Sequence, residues 1–555
     1  MTTETTDTTY DPRRILHETP PSGQSIPALL ERRAAELGDK PLFRLGEVER
    51  SFREVRDVAA RAAGALRAAG IQPGERVAAM CSNRVELHDL ILGCLWLGAI
   101  VVPLNPSLRG GQLTHALANS GSSALLIEAP LVEALAHVER PPELARLWVL
   151  DDAAPRVPAG FEAAEPPGLG EPLPLREIRP GEPAAIMYTS GTTGPSKGVI
   201  CPAAQFFWFA GVMCQAVRMT PDDVIYNPLP LCHVNALVST FQAAFVGATC
   251  EIGERFSASR FWEHAARADA TIIHLLGALP NLLLAQPEKP SDRAHRVKTL
   301  FAPGTAAPVW EPFMQRFGVE EIIEGYGSTE TNHCLGRTRE HPHSTPGRMG
   351  WVHDDYFEVQ VVDENDWPVP PGVPGELCFR TRYPFSFSSG YWGMPEKTAE
   401  AFRNLWFHTG DQAIQDADGS LRFVDRLKDS MRRLGENISA WEVETAIMAH
   451  PQVAEAAVYP VASEQVDEEV MAAVVLRPGE TLDPLELMRF LEPRLAHFAI
   501  PRYVEVVAEL PHTQNGKVQK AALRERGVTE TCWDREAAGY VLRRLDRPAA
   551  TPASA

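Results

Sequence analysis

An α/β fold with a large N-terminal domain, a β-rich subdomain and a small α+β C-terminal domain is what the sequence predicts, and three observations carry that prediction. From Ser25 to about Gly170, helical patterns (Ile26 to Leu37, Val55 to Ala69) alternate with short apolar runs (Arg76 to Met80, Ser123 to Ile127). Such alternation marks βα units around a parallel sheet. A second alternating region runs from Phe206 to about Gly327, with strands expected at Ala248 to Ile252, Ala270 to Leu275 and Lys298 to Ala302. After Asp425 the texture changes to a compact αβ unit, with strands near Val453 to Tyr459, Val470 to Leu476 and Tyr503 to Val507 and a helix near Pro484 to His497.

The remaining stretches fit around these. Residues 1–24 open with the polar, acidic MTTETTDTTYDP, unlike a secretory signal, and are expected to form a disordered leader. The longest apolar run, Leu90 to Leu104, has 15 residues and contains Gly93, Gly98 and Pro103. It falls short of the roughly 18 to 20 residues of a membrane span and reads as a buried helix followed by a strand. Asp151 to Pro183, crowded with proline, glycine and acids, reads as a surface connection. Gly347 to Gly410 carries short strands with turns, such as Glu358 to Val362 and Gly375 to Arg380, which makes the β-rich subdomain. The boundary with the C-terminal unit is placed at Arg426 to Lys428, and residues 546–555 form a Pro/Ala/Ser-rich tail expected to be disordered.

Composition narrows the function. The 555 residues, 45% of them hydrophobic, exceed one ordinary domain and supply at least two cores. With 72 acidic against 53 basic residues, the formal charge is -19, so no basic face is left over for a nucleic-acid backbone. The nine cysteines are scattered, odd in number and without a CxxC pair, as in a reduced, cytoplasmic chain lacking a structural metal.

Three segments carry chemistry. Tyr188 to Val199 reads YTSGTTGPSKGV. Gly191, Gly194 and Gly198 let the backbone turn, so that main-chain N–H groups and the hydroxyls of Thr189, Ser190, Thr192 and Thr193 can converge on an anionic oxygen, with Lys197 supplying positive charge. The spacing is not that of a Walker loop. Glu324 to Glu330 reads EGYGSTE after the apolar Ile322 and Ile323, a glycine-flanked turn at a strand end, where α/β folds bind ligands. There Tyr326 can stack on a purine, Thr329 can reach a phosphate, and Glu330 can hold Mg²⁺. Trp406 to Asp411 reads WFHTGD, whose carboxylate can accept from both ribose hydroxyls. Taken singly, each segment also has a plain reading, as a linker, a capped turn or an ordinary Gly-Asp turn.

Taken together and in this order, they resemble the adenylate-forming (AMP-binding) superfamily of acyl- and aryl-CoA synthetases, peptide-synthetase adenylation domains and luciferases. The tail segments HFAIPRYVEVV and HTQNGKVQK, with ENIS at Glu436 to Ser439, look nearest to the carnitine/crotonobetaine-CoA ligase type. The resemblance implies an N-terminal adenylation domain over 25–425, built of αβα layered subdomains plus the β-rich one, a hinge over 426–428 centred on Lys428, and a mobile C-terminal domain over 429–545. It implies that Tyr326, beside Gly327, stacks on adenine, that Thr329 contacts phosphate, that Glu330 ligates Mg²⁺, and that Asp411 and Arg426 hold the ribose. Gly304, Thr305 and Ala306 in PGTAAP would form a wall of the acyl pocket and touch adenine, and His233 in PLPLCHVN would gate the carboxylate. Trp208, Phe209, His233 and Gly304 suggest a partly aromatic wall. Lys517 in TQNGKVQK would reach the site during adenylation, with Lys520 as an accessory. Gly435, next to Glu436, would let a phosphopantetheine arm approach, and Leu434 stands where relatives often carry a second glycine.

The implied function is ATP-dependent adenylation of a carboxylic acid followed by thioester formation with CoA, releasing AMP and pyrophosphate, with ATP, Mg²⁺ and CoA as the reactants. The alternative keeps adenylation but passes the acid to an amine or carrier protein, or activates an inorganic oxyanion such as nitrite. A catalytically silent nucleotide-binding protein is disfavoured by the joint presence of Lys197, Glu330, Asp411 and Lys517. The expected partner is a small carboxylic acid, with no nucleic acid and no membrane span, and a homodimer is compatible with the sequence. Acid specificity stays open.

Overall fold

The computed structural model describes residues 10–151, 156–189, 195–277, 279–305, 307–426, 430–463, 468–511, 518 and 520–542, except for the side chains of residues 425, 426, 430, 437, 441 and 521. Two seven-stranded sheets form the N-terminal part. One has the order Ala163–Ala164, Arg146–Leu150, Ala124–Glu128, Arg76–Met80, Ile100–Leu104, Pro183–Thr189, Lys197–Pro202, parallel except for the last, antiparallel pair. The other has the order Glu321–Ile323, Thr299–Phe301, Ile272–His274, Val224–Asn227, Thr249–Ile252, Pro41–Leu45, Val48–Ser51, parallel up to its final hairpin. The fold class expected from the alternating patterns is thus observed.

The helices explain the layering. Val85–Leu97 and Ala203–Ala216 are apolar nearly all round and buried on almost every side, which suits helices enclosed between sheets. One continuous core joins Val77, Val101 and Ala185 of the first sheet, through these helices, to Ile225, Ile273 and Leu300 of the second. Alternation along the strands sends Ala78, Met80 and Val102 to the opposite face of the first sheet, against Leu113, Leu117 and Leu131. Next along the chain come a three-stranded antiparallel sheet (Tyr326–Ser328, Asn332–Gly336, Trp351–Val352) and a four-stranded antiparallel sheet (Phe357–Val362, Pro374–Thr381, Phe407–Gln415, Leu421–Arg426), matching the β-rich stretch.

The C-terminal part has cores of its own on the two faces of a four-stranded sheet (Val453–Ala462, Glu468–Leu476, Tyr503–Val506, Trp533–Asp534). Val458 and Val474 pack on one face, Tyr459 and Ala473 on the other. The hairpin Ser430–Arg433 and Glu436–Ser439 leads into the helix Ala440–Met448.

Two expectations need correction. Residues 10–24 are not a disordered leader: Asp11 caps a helix at Pro12–Glu18, and Ile15 and Leu16 are buried, with Leu16 against Gly211 of the enclosed helix. Residues 1–9 and the tail 546–555 lie outside the described residues. The helix expected to reach His497 spans only Pro484–Leu491, because Pro493, two residues past its end, has no N–H to continue it.

Candidate active site

The site assembles at the carboxyl ends of the parallel strands, where the two sheets meet the β-rich region. Lys197 opens the strand Lys197–Pro202, with Thr189 as its cross-strand partner, so the chain leaves and re-enters the sheet at one place around Ser190, Gly191, Thr192, Thr193 and Gly194, which lie outside the described residues. The Lys197 ammonium donates to the Tyr391 hydroxyl at 3.3 Å and lies 4.4 Å from the centre of its ring. Tyr391 in turn donates to Oε1 of Glu330 at 2.9 Å. Burial, reinforced by the Glu330 charge, pushes the Tyr391 phenol far up, so it stays a donor. Lysine, tyrosine and glutamate therefore form one chain from the strand after the glycine-rich segment to the carboxylate. A buried carboxylate is the hard oxygen donor that Mg²⁺ takes, and Glu330 fits that ion by type and by its distance of one side chain from Lys197.

The turn after Ile323 becomes an antiparallel hairpin, Tyr326–Ser328 with Asn332–Gly336. A Cβ at Gly327 would stand 2.2 Å from the Asn332 carbonyl oxygen, so only glycine fits that crossing. Thr329 is half-buried, its carbonyl accepting from Gln205 at 2.7 Å. Tyr326 donates its hydroxyl to Oδ2 of Asp411 at 2.7 Å and stacks on Phe379 with centroids 5.7 Å apart. Asp411 pairs in register with Arg426 on the neighbouring strand, which brings together the three residues assigned by resemblance to adenine and ribose.

Glu376 braces this edge: its carboxylate accepts from Gly410 N at 3.1 Å, approaches His408 Nδ1 at 3.0 Å and accepts from Arg403 at 2.8 Å. Glu376, Cys378 and His408 bring three potential metal-ligand atoms within 4.8 Å of one another. The Arg403 guanidinium, which also pairs with Asp366, already supplies the positive charge there, so the cluster fits a closed polar brace better than a metal centre.

On the opposite wall, Gly304 lies against Gly277, and its N–H donates to Oε1 of Glu324 at 2.7 Å. Burial pushes the Glu324 carboxyl up to about 7, against the pull of the Gly304 and Gly325 N–H groups. The Thr305 hydroxyl is turned inward onto the Ala302 carbonyl at 2.7 Å, and Ala306 is outside the described residues. The contacts of Trp208 are not with this wall: it packs on Tyr383, with centroids 4.3 Å apart, and on Tyr356, and donates to Gln24 at 3.4 Å, while Phe209 is buried in the core, so neither is brought to Gly304 by a contact among the described residues.

The C-terminal part docks over this site. Leu434 and Gly435 form the two-residue loop of the hairpin, with φ of 54° and 81°. Two left-handed residues in a two-residue loop match a type I′ turn, which explains the preference for glycine at both. A Cβ at Gly435 would lie 3.7 Å from Leu276, one residue before Gly277. Next to it, Glu436 meets His233 Nε2 at 2.9 Å and accepts from Asn105 at 3.0 Å. Burial alone would lower His233, but the Glu436 charge and hydrogen bond outweigh it and raise it. Glu442 accepts from Ser196 N at 3.0 Å and from Gln112 at 2.8 Å, so a second carboxylate sits one residue before Lys197. Lys520 pairs with Glu444 at 2.6 Å within the C-terminal part. Lys428 and Lys517 lie outside the described residues. The sequence reading does not single out Tyr391, Asn105, Glu376 and Glu442, whose partners lie far along the chain.

The AMP-binding enzyme family matches residues 30–392, and the AMP-binding enzyme C-terminal domain matches 442–517. A medium/long-chain-fatty-acid–CoA ligase of Mycobacterium tuberculosis is 31% identical over 521 residues, covering 91% of this chain and 86% of the relative. A crotonobetaine/carnitine–CoA ligase of Salmonella paratyphi C is 29% identical over 520 residues, covering 90% and 99%. Among solved structures, the amide bond synthetase of Marinactinospora thermotolerans superposes with a TM-score of 0.76 at 27% identity, covering 90% and 99%. The chain belongs to the AMP-binding enzyme family, the adenylate-forming enzymes that include the acyl-CoA ligases. ATP, Mg²⁺ and CoA are the reactants of such ligases. Among the described residues no helix is long and apolar enough to cross a membrane.

Proposed function

We propose that this enzyme activates a small carboxylic acid as its acyl-adenylate and then transfers the acyl group to the thiol of CoA. The observation that supports the second half is the docked hairpin: Glu436 on His233 anchors it, and Gly435, a residue without a side chain, comes to rest against Leu276. A narrow thiol arm needs such an approach. In the first half, Lys197 and the loop from Thr189 to Gly194 hold the phosphates, Tyr326 and Asp411 hold the nucleoside with Arg426, and Thr329 touches the α-phosphate. Mg²⁺ on Glu330 would neutralise phosphate charge. The acid carboxylate attacks the α-phosphorus, pyrophosphate leaves, and Lys517 balances the charge that develops. Rotation at the hinge over 426–428 withdraws Lys517 and seats the hairpin, so that one site serves two reactions. Substitution Lys517→Ala tests this directly: pyrophosphate exchange into ATP should vanish while ATP binding persists, and unchanged exchange would remove Lys517 from the chemistry.

A second reading, transfer to an amine, is favoured by the likeness to the amide bond synthetase and by Leu434 at a loop position where glycine is expected. CoA consumption separates the two.

A further inference from the structure

Three histidines stand on or beside the strands that carry the site, and among the described residues their Nε2 atoms are buried with no hydrogen-bond partner: His274, His333 and His353. His274 ends the strand Ile272–His274, two residues before Leu276. His333 lies opposite Gly327 on the neighbouring strand. Phe301 stands between them, its ring 5.1 Å from that of His274 and 5.3 Å from that of His333. The rings of His333 and His353 are 5.5 Å apart. Burial keeps all three imidazoles neutral: His274 is pushed down to about 3, His353 to about 4, and His333 well below its ordinary value.

The hydrogen-bond network fixes the tautomer of His274. The Leu229 N–H donates to Oδ1 of Asn227 at 2.9 Å, so the other end of that side chain is its NH₂. That NH₂ donates to Ser239 Oγ at 2.8 Å and to Oδ1 of Asn235 at 3.0 Å. Oδ1 of Asn235 is therefore an acceptor, and Nδ1 of His274, 3.2 Å away, must carry the proton. A neutral imidazole protonated at Nδ1 has a bare lone pair at Nε2. Asn235 lies two residues beyond His233, at the start of the helix Val234–Val246, so His274 is bonded to the segment that carries His233.

We propose that the acid this enzyme activates carries a hydroxyl or amino substituent that donates to Nε2 of His274, so that the site selects hydroxy- or amino-substituted acids over plain hydrocarbon acids. The selection rests on the acid-activating reading above. A second carboxylate is a poor occupant, since it has no hydrogen to donate to the lone pair and the buried imidazole resists protonation. A hydrocarbon leaves the lone pair unsatisfied, and sites built to pair a substrate hydroxyl reject isosteres that lack it.

The test is kcat/KM for pyrophosphate release with matched acids: 3-hydroxy-, 3-amino-, 3-methyl- and unsubstituted benzoate, and 4-hydroxybutyrate against pentanoate. The donor-bearing member of at least one set should lead its methyl isostere on the order of tenfold or more. His274→Leu should abolish or invert that preference, and His274→Gln, whose amide oxygen can accept, should retain it. Equal or better use of the methyl isosteres by the unmodified enzyme overturns the proposal while leaving acid activation standing, and does so even if a variant fails to fold. Absence of pyrophosphate release with every acid overturns the acid-activating reading itself.

Discussion

Substitution Glu436→Gln removes one charge from the contact between the C-terminal hairpin and His233 while keeping the shape of the side chain. Oε1 of Glu436 meets His233 at 2.9 Å and Asn105 at 3.0 Å. A hydrogen bond to a charged group is worth about 1.5–3 kcal/mol and one between neutral groups about 0.5–1.5. The His233 and Glu436 side chains keep 32% and 17% exposure, so water screens part of the difference. The net loss is then about 1–2 kcal/mol, on the order of a 5- to 30-fold fall in the docked population. Rapid-quench single turnovers measure the two half-reactions separately: adenylate formation should stay within about twofold, and thioester formation should fall by the full factor. The pair also carries a pH signature. Because docking raises His233, the docked form holds its proton more tightly, so it is favoured below the raised value and loses that advantage as pH rises through it. Glu436→Gln should flatten this dependence. An equal fall in both half-reactions, or no fall in either, would refute the reasoning.

Three further outcomes follow from other contacts. Glu324 titrates near 7 in the folded chain against an ordinary 4.5, so its stabilisation is fully present below about 4.5 and is lost as pH rises through about 7, a change of roughly 3 kcal/mol; Glu324→Gln should remove this component from urea-unfolding stabilities measured between pH 5 and 8, and an unaltered profile would contradict the assignment. Leu434 holds a left-handed conformation that costs a branched residue about 1–2 kcal/mol, and Leu434→Asn should stabilise the C-terminal part by about 0.5–1 kcal/mol in denaturant unfolding without slowing adenylation. Tyr391→Phe removes the hydroxyl between Lys197 and Glu330, and pyrophosphate exchange should fall on the order of tenfold at subsaturating MgATP; unchanged exchange would show that the phenol only packs.

How far the sequence could be read depends on whether the information is local. The strand at Arg76 to Met80 and the helix at Ile26 to Leu37 appear at those bounds, because alternation and amphipathic period are properties of neighbours along the chain. The N-terminal helix was hidden because its anchors, Ile15 and Leu16, are two apolar residues in a polar stretch, and their burial depends on a helix about two hundred residues away. Tyr326, Glu330 and Asp411 stand out through the glycines beside them. Tyr391 has glycines beside it too, in SGYWG, yet neither it nor Glu442 stands out, although they join the parts of the site: an aromatic in a glycine turn and a glutamate in a helix have many ordinary explanations, and only the contacts to Lys197, Glu330 and Ser196 set them apart. His274 reads as one more core residue of an apolar strand, and its free acceptor becomes visible only through the chain of amides from Leu229 to Asn235.

The central claim is that one site makes an adenylate and then hands it to a thiol, and product stoichiometry tests it most directly. A panel of hydroxy-, amino- and unsubstituted acids, with nitrite as the inorganic alternative, should be incubated with MgATP with and without CoA and the products resolved by mass. The account predicts AMP, pyrophosphate and acyl-CoA in equal amounts, with turnover dependent on CoA. AMP release indifferent to CoA but switched on by an amine or confined to nitrite would contradict it.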